Sequence, residues 1–403
     1  MFQERQLFFP NTYITFNITT SAGLKYEFKD NINNILKSSA NKFMQESGLS
    51  SLGYEFEGGA FQGNRLELKK SLFDNNIRQG SNVLYVIKLN PERVLNKIKT
   101  FHEITLSGID FNGKIKTNQD TTLIKLNIGG IPGFNLFGVL DGHGQYGHFV
   151  AQFCKNYFIK KMEEYAYFCK MKNLFTPEQI YYSLKNNVFI YIVDIFKFAD
   201  IEMTQQSTFD YYSSGTTCNL VIQLNKNLIC ANVGNSRAIL IYEKNSNGNT
   251  GICSISRDHT PEIPQEYQRI INNGGTVDQY IDKNGKKLGH NRIYKKGQKT
   301  PGIRISRALG DLNAKSCGVI NIPEITEYYL NNNSKYMVIC SDGIWEIMSN
   351  EYIRDLGNVY YKKGEIVPFC NNLIQMAKLN WKNKYSDYRD DIAIVCVYFY
   401  MKC

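Results

Sequence analysis

The chain has 403 residues, enough for a large catalytic core plus one smaller domain, and its 43% hydrophobic and 21% charged residues are ordinary globular proportions. No run approaches the ~20 consecutive apolar residues of a membrane helix, and Met1-Phe2-Gln3-Glu4-Arg5 does not read as a secretory signal. The formal net charge of +10 comes without a long basic run or a recognition motif, so neither a nucleic-acid nor a membrane partner is expected.

The N-terminal stretch has its own pattern. Thr12–Ile18 alternates polar and apolar residues as a half-buried strand does, Ser21-Ala22-Gly23 supplies a turn, and Leu24–Phe28 alternates again. From Ile32 to Glu46 the residues Ile32, Ile35, Leu36 and Phe43 share one helical face, with Asp30 as a cap before it and Gly48 as a stop after it. Strands are expected around Gly53–Phe56 and Asn82–Lys88. This order resembles the ubiquitin-like β-grasp fold, and the segment Lys70–Ser81 resembles ubiquitin's turn into its last strand. No Gly-Gly follows that strand, so conjugation is not expected. The organisation read from this is a β-grasp domain over 10–90, a linker over 91–100 around Asn90-Pro91-Glu92, and a larger domain over 101–403. A small α+β extension that only packs on the larger domain is the alternative.

In the larger domain the carboxylates carry the chemistry. The apolar strand Leu136–Leu140 runs straight into Asp141-Gly142-His143-Gly144, and Met337–Cys340 runs into Ser341-Asp342-Gly343. A strand ending in Asp-Gly puts a carboxylate at the lip of a sheet, and glycine lets backbone approach a ligand. Asp120 follows the turn Lys116–Gln119, and Asp390-Asp391 precedes the strand Ile392–Tyr398. Aspartates without cysteine and with few histidines favour hard cations, Mg²⁺ or Mn²⁺. Each Asp-Gly alone is first of all a turn. The cluster Tyr294–Lys299 is read as solvated surface before it is read as a guide for anionic substrates.

The 10 cysteines lie scattered from Cys154 to Cys403 with no Cys-x-x-Cys pair. Cys230, Cys340 and Cys396 sit in apolar runs, which suits buried free thiols in a reduced intracellular protein, cytoplasmic or nuclear, without disulfides or zinc.

Taken in order, Asp141–Gly144, Ser214–Thr217, Ala231–Ala238, Asp258–Pro261, Glu266, Arg269, Ser306–Asp311, Ser341–Glu346 and Arg389–Ile392 resemble the motifs of the type 2C protein phosphatases. The resemblance spans the C-terminal ~300 residues. It implies an α+β fold in four α-β-β-α layers and an enzyme that hydrolyses phosphoserine and phosphothreonine in phosphoproteins. It also implies two cations, Mg²⁺ or Mn²⁺, ~3.5–4 Å apart and sharing a hydroxide, with no phosphoenzyme. Asp141 would bridge both metals, the Gly142 carbonyl would help hold one, and Asp120, Asp342 and Asp390 would complete the set. His143 would protonate the leaving oxygen as general acid.

Three departures from the family's pattern stand out. Asn235 replaces an Asp that helps hold a third metal, Gln119 stands where Glu is common, and Lys114-Ile115-Lys116 replaces a phosphate-binding Arg. Lys114 is the expected substitute, as a point charge without the bidentate fork of Arg. A phosphatase-like scaffold of little or no activity, with the first domain docking a protein partner, is the competing reading.

Overall fold

The computed structural model describes residues 13–20, 25–31, 40–43, 54–61, 64–65, 82–89, 98–206, 208–245, 248–281 and 287–399. The chain divides into two compact units, Met1–Leu95 and Asn96–Cys403.

In the first unit, β1 (Tyr13–Thr20), β2 (Lys25–Asn31), β3 (Tyr54–Phe61), β4 (Asn64–Arg65) and β5 (Asn82–Leu89) form one sheet in the order β2-β1-β5-β3-β4. β1 and β2 are antiparallel, whereas β1 and β5 run parallel at the centre. Asp30, expected as a helix cap, instead belongs to β2 and pairs with Ile14. Residues 40–43 are helical. The rest of the expected helix, the turn at 21–23 and the segment 70–81 lie outside the described residues.

The second unit opens with β6 (Ile98–Leu106), so a strand begins inside the stretch expected to be linker. Then come β7 (Asp120–Lys125), β8 (Phe134–His143), and the helices α1 (Gly147–Met171), α2 (Pro177–Asn186) and α3 (Ile190–Gln206). β9 (Gly215–Thr216), β10 (Cys218–Leu224), β11 (Asn227–Val233), β12 (Arg237–Glu243) and β13 (Thr250–Ser254) follow, then α4 (Pro264–Asn272). A small sheet of β14 (Gly275–Ile281), β15 (Lys287–Lys295) and β16 (Pro301–Ile303) precedes β17 (Leu309–Gly310), β18 (Glu324–Tyr329) and β19 (Ser334–Cys340). The chain ends through α5 (Asp342–Trp345), α6 (Asn350–Lys363), α7 (Ile366–Tyr385) and β20 (Ile392–Phe399).

Two sheets organise this unit. One runs β17-β9-β8-β10-β11-β18 with β7 also on β8, and the other runs β13-β12-β19-β20-β6. Their central strands are apolar on both faces because both faces are covered. On β20, Ala393, Val395 and Val397 meet Phe137 and Val139 of β8 between the sheets. The alternate residues Ile392, Ile394 and Cys396 pack under α6 and α7. On the far side Leu136 and Leu140 of β8 pack under α1 to α3. Three apolar seams separate four layers, helices outside and sheets inside. Local signals set the helix ends: Thr176 and Gln179 form a reciprocal capping box for α2, and Gly364 ends α6 in the left-handed conformation.

Candidate active site

The register of the first sheet sets Asp120 opposite Asp141 on neighbouring strands. β19 delivers Asp342 to the first turn of α5, and Asp390 stands just before β20. Four carboxylates thus meet at one end of the two central sheets. The backbone of Asp141 is bracketed by Thr217, whose hydroxyl accepts its N–H at 3.0 Å and whose N–H donates to its carbonyl at 2.9 Å. Gly142 is sterically required, since a Cβ there would fall 2.5 Å from the Gly147 carbonyl oxygen and 2.6 Å from that of Gln119.

The electrostatics are those of concentrated, under-compensated negative charge. Loss of water, and then the neighbouring carboxylates, hold Asp120 and Asp141 well above the usual carboxylate range. Burial and the charge of Asp390 push Asp342 up to about 6. Asp120 Oδ2 accepts from Ser341 Oγ at 2.6 Å, but its Oδ1 is buried without a hydrogen-bond partner. An orphaned carboxylate oxygen amid like charges fits a hard divalent cation. Among the described residues, however, no three His, Cys, Asp or Glu side chains converge as a finished metal cage. Each of three of these carboxylates carries a protein donor: Ser341 on Asp120, Asn235 Nδ2 on Asp342 Oδ2 at 2.8 Å, and Lys116 on Asp390.

His143 projects beside this cluster with Nε2 2.6 Å from Asp311 Oδ2. Burial opposes the charged ring, but the charge and hydrogen bond of Asp311 prevail and raise its pKa above the ordinary value. Asp311 closes the motif Ser306–Asp311, whose sequence alone assigns it no role. It also explains Gly215, where a Cβ would fall 2.1 Å from Asp311 Oδ2. Of the other histidines, His259 is fully buried and accepts from the Gly234 N–H, which is a packing role.

The structure places the two lysines before Asp120 differently. Lys114 is exposed and lies in a turn where Asp110 Oδ1 accepts the N–H groups of Asn112 and Lys114. Lys116 is the residue that enters the cluster, 2.7 Å from Asp390 Oδ1. Gln119 donates from Nε2 to the Gly144 carbonyl at 2.6 Å and so ties the start of β7 to the turn after β8. Asp391 is a pin and not an open ligand, because it accepts the N–H groups of Gly108 and Gln119.

Asp390 also lines a cavity of about 950 Å³ between the small sheet and α7, together with Arg292, Arg304, Trp381 and Tyr388. Tyr294, Gln298 and Lys299, read from sequence as solvated surface, are on its wall. Arg304, which sequence reasoning passed over, pairs with Glu346 at 2.9 Å, and its charge tempers Asp342.

A family model described as Protein phosphatase 2C matches residues 105–378. A probable protein phosphatase 2C 73 of Arabidopsis thaliana is 28% identical over 300 residues, covering 72% of this chain and 77% of its own. A probable protein phosphatase 2C 64 of Oryza sativa subsp. japonica is 28% identical over 287 residues, covering 71% of this chain and 63% of its own. Among solved structures, a serine-threonine phosphatase 2C from Toxoplasma gondii superposes with a TM-score of 0.60 at 21% identity, over 75% of this chain and 96% of that one. The fold is that of a two-sheet phosphatase with an acidic site at the sheet ends, and the chain belongs to the protein phosphatase 2C family. It is a serine/threonine protein phosphatase, an enzyme of a metal-dependent family.

Proposed function

We propose that the chain hydrolyses phosphoserine and phosphothreonine esters in phosphoproteins with two divalent cations, Mg²⁺ or Mn²⁺. Asp120, Asp141, the Gly142 carbonyl, Asp342 and Asp390 would hold them. The observation that carries this is the partnerless buried Asp120 Oδ1 among carboxylates whose pKa values are raised by burial and by one another. Bound there, such cations lower the pKa of a coordinated water and offset charge on phosphoryl oxygens.

The protein's own groups supply the rest. Asp311 pairs with His143 Nε2 and favours the protonated ring, which would give a proton to the departing serine or threonine oxygen. Thr217 fixes the backbone from which Asp141 and His143 project. Phosphate release from a phosphopeptide tests the reading. It should stop with EDTA and return with Mn²⁺, and release that persists in EDTA would contradict it.

The first unit we read as a ubiquitin-like β-grasp domain over 10–90, joined by a linker to the phosphatase domain and available to dock a protein partner. The sheet order β2-β1-β5-β3-β4 with its parallel β1–β5 pair supports this. Cytoplasmic or nuclear residence is proposed from the nine free cysteines among the described residues, eight of them buried. No helix of the described residues is long and apolar enough to cross a membrane.

A further inference from the structure

Lys116 occupies the acidic cluster at a place where the reaction needs neither a metal ligand nor a general acid. Its Nζ lies 2.7 Å from Asp390 Oδ1 and 3.9 Å from Asp391 Oδ2, with the side chain only 27% exposed. The pose is built into the fold. Lys116 N donates to the Gly108 carbonyl at 3.0 Å, and a Cβ on Gly108 would fall 2.4 Å from Lys116 Cε. That Cβ would also fall 2.5 Å from the Arg389 carbonyl oxygen, so the backbone there requires glycine and the lysine stem passes over it. The ammonium then lies 5.5 Å from the centre of the Tyr388 ring, which is stacked on Phe111 at 4.4 Å. Tyr388 Oη donates to the other oxygen, Asp390 Oδ2, at 3.2 Å.

Both oxygens of Asp390 are thus engaged by protein donors, while Asp120 Oδ1 across the cluster has none. We propose that Lys116 is an internal counter-cation of the acidic cluster, whose charge opposes a divalent ion at Asp390 and lowers that ion's affinity. The proposal rests on the reading of Asp120, Asp141, Asp342 and Asp390 as metal ligands. The ammonium offsets part of the negative charge that these carboxylates concentrate. A carboxylate oxygen has lone pairs for both an ammonium and a metal ion, but the two positive charges repel at that distance, so each weakens the hold of the other on Asp390. The chain gains a cluster that is tolerable without metal and loses affinity for the ion that contacts Asp390. A lysine serving only as a structural ion pair would behave differently, because its removal would lower stability and leave metal affinity unchanged.

The test measures Mn²⁺ bound to the purified full chain without substrate, by calorimetry and by loss of the free-ion electron spin resonance signal. Thermal melting is followed with and without Mn²⁺. Lys116→Met, which keeps the stem and removes the charge, should bind its weaker Mn²⁺ about tenfold more tightly than wild type. It should melt lower without metal and gain more from Mn²⁺. Lys116→Arg keeps the charge and should not tighten binding. If Lys116→Met folds poorly without metal, Lys116→Gln loaded with Mn²⁺ before purification gives the same comparison through dissociation constants measured by competing chelator. Equal or weaker binding by the uncharged variants, or equal tightening by Lys116→Arg, would overturn the proposal. Asp141→Asn is the control for the reading beneath it. If Asp141→Asn binds Mn²⁺ like wild type, the ligand assignment itself fails and the proposal falls with it. If Asp141→Asn loses binding while Lys116→Met matches wild type, only the counter-cation is wrong.

Discussion

His143 Nε2 and Asp311 Oδ2 are 2.6 Å apart, although 168 positions separate the two residues in the chain. The pair exists because β9 runs between β8 and β17, placing Gly215 where its missing side chain leaves room for the Asp311 carboxylate. A histidine held this way is oriented by its partner, which favours its cationic, proton-donating form.

His143→Gln should therefore slow hydrolysis of a phosphopeptide by ~10²–10⁴-fold, the usual worth of general-acid help. It should slow an aryl phosphate far less, because that leaving group departs without a proton. Asp311→Asn should show the same contrast with a smaller loss. Steady-state rates on both substrates check this, and equal losses on the two would remove His143 and Asp311 from the role.

A second network governs stability at low pH. Glu266 is fully buried and accepts from Arg269, Arg307 and Ser306. Burial would raise its pKa, but these three partners outweigh it and hold the carboxyl far below its ordinary 4.5. A depressed folded-state pKa gives stability that is complete above pH 4.5 and is lost as pH falls below it. Glu266→Gln leaves two guanidinium groups without their anion and should cost about 3–5 kcal/mol at neutral pH. Its stability should also vary less with pH in the acid range than that of wild type. Urea unfolding from pH 7 to pH 3 measures both effects.

The two units make a third prediction. The fragment 1–92 should fold alone, by circular dichroism and amide exchange. The fragment 93–403 should keep metal-dependent activity on a small aryl phosphate, because it retains β6. That strand is indispensable: Leu106 to Ile98 pair along Ile392 to Phe399 of β20, the strand that follows Asp390. Loss of activity on folded phosphoproteins alone would indicate docking by the first unit. An unfolded 1–92 fragment would count against the β-grasp reading, and an insoluble 93–403 fragment would favour the packed extension.

The sequence made the carboxylates legible because their backbone settings are local. An apolar strand running into Asp-Gly places Asp141 at a sheet end, and the setting of Asp342 after β19 is of the same kind. The partners of these groups were not legible, since Asp311, Ser341 and Lys116 reach them across 168, 221 and 274 positions. Lys114 and Lys116 could not be told apart by spacing. The choice depends on the Asp110 turn, which keeps Lys114 outside, and on Gly108, which admits the stem of Lys116. The cluster Tyr294–Lys299 reads as surface and residues 295–299 are exposed, while the pairing of β15 with β14 and β16 also sets Tyr294, Gln298 and Lys299 on the cavity wall, which no local signal reveals. In the first unit the strand alternation was readable, but Asp30 was drawn into β2 by pairing with Ile14, which no local cap signal reveals.

The central claim is that a divalent-metal site built on Asp141 and its neighbours performs the hydrolysis. Its most direct test is the rate of phosphate release from a phosphothreonine peptide at saturating Mn²⁺, for wild type and for Asp141→Asn. Asp141 pairs in register with Asp120 and is surrounded by the charges of Asp120, Asp342 and Asp390, so Asp141→Asn removes charge from the middle of the proposed site. The account predicts that Asp141→Asn, folded as judged by its melting curve, falls to the rate that wild type shows in EDTA. Near-normal turnover by Asp141→Asn would contradict it.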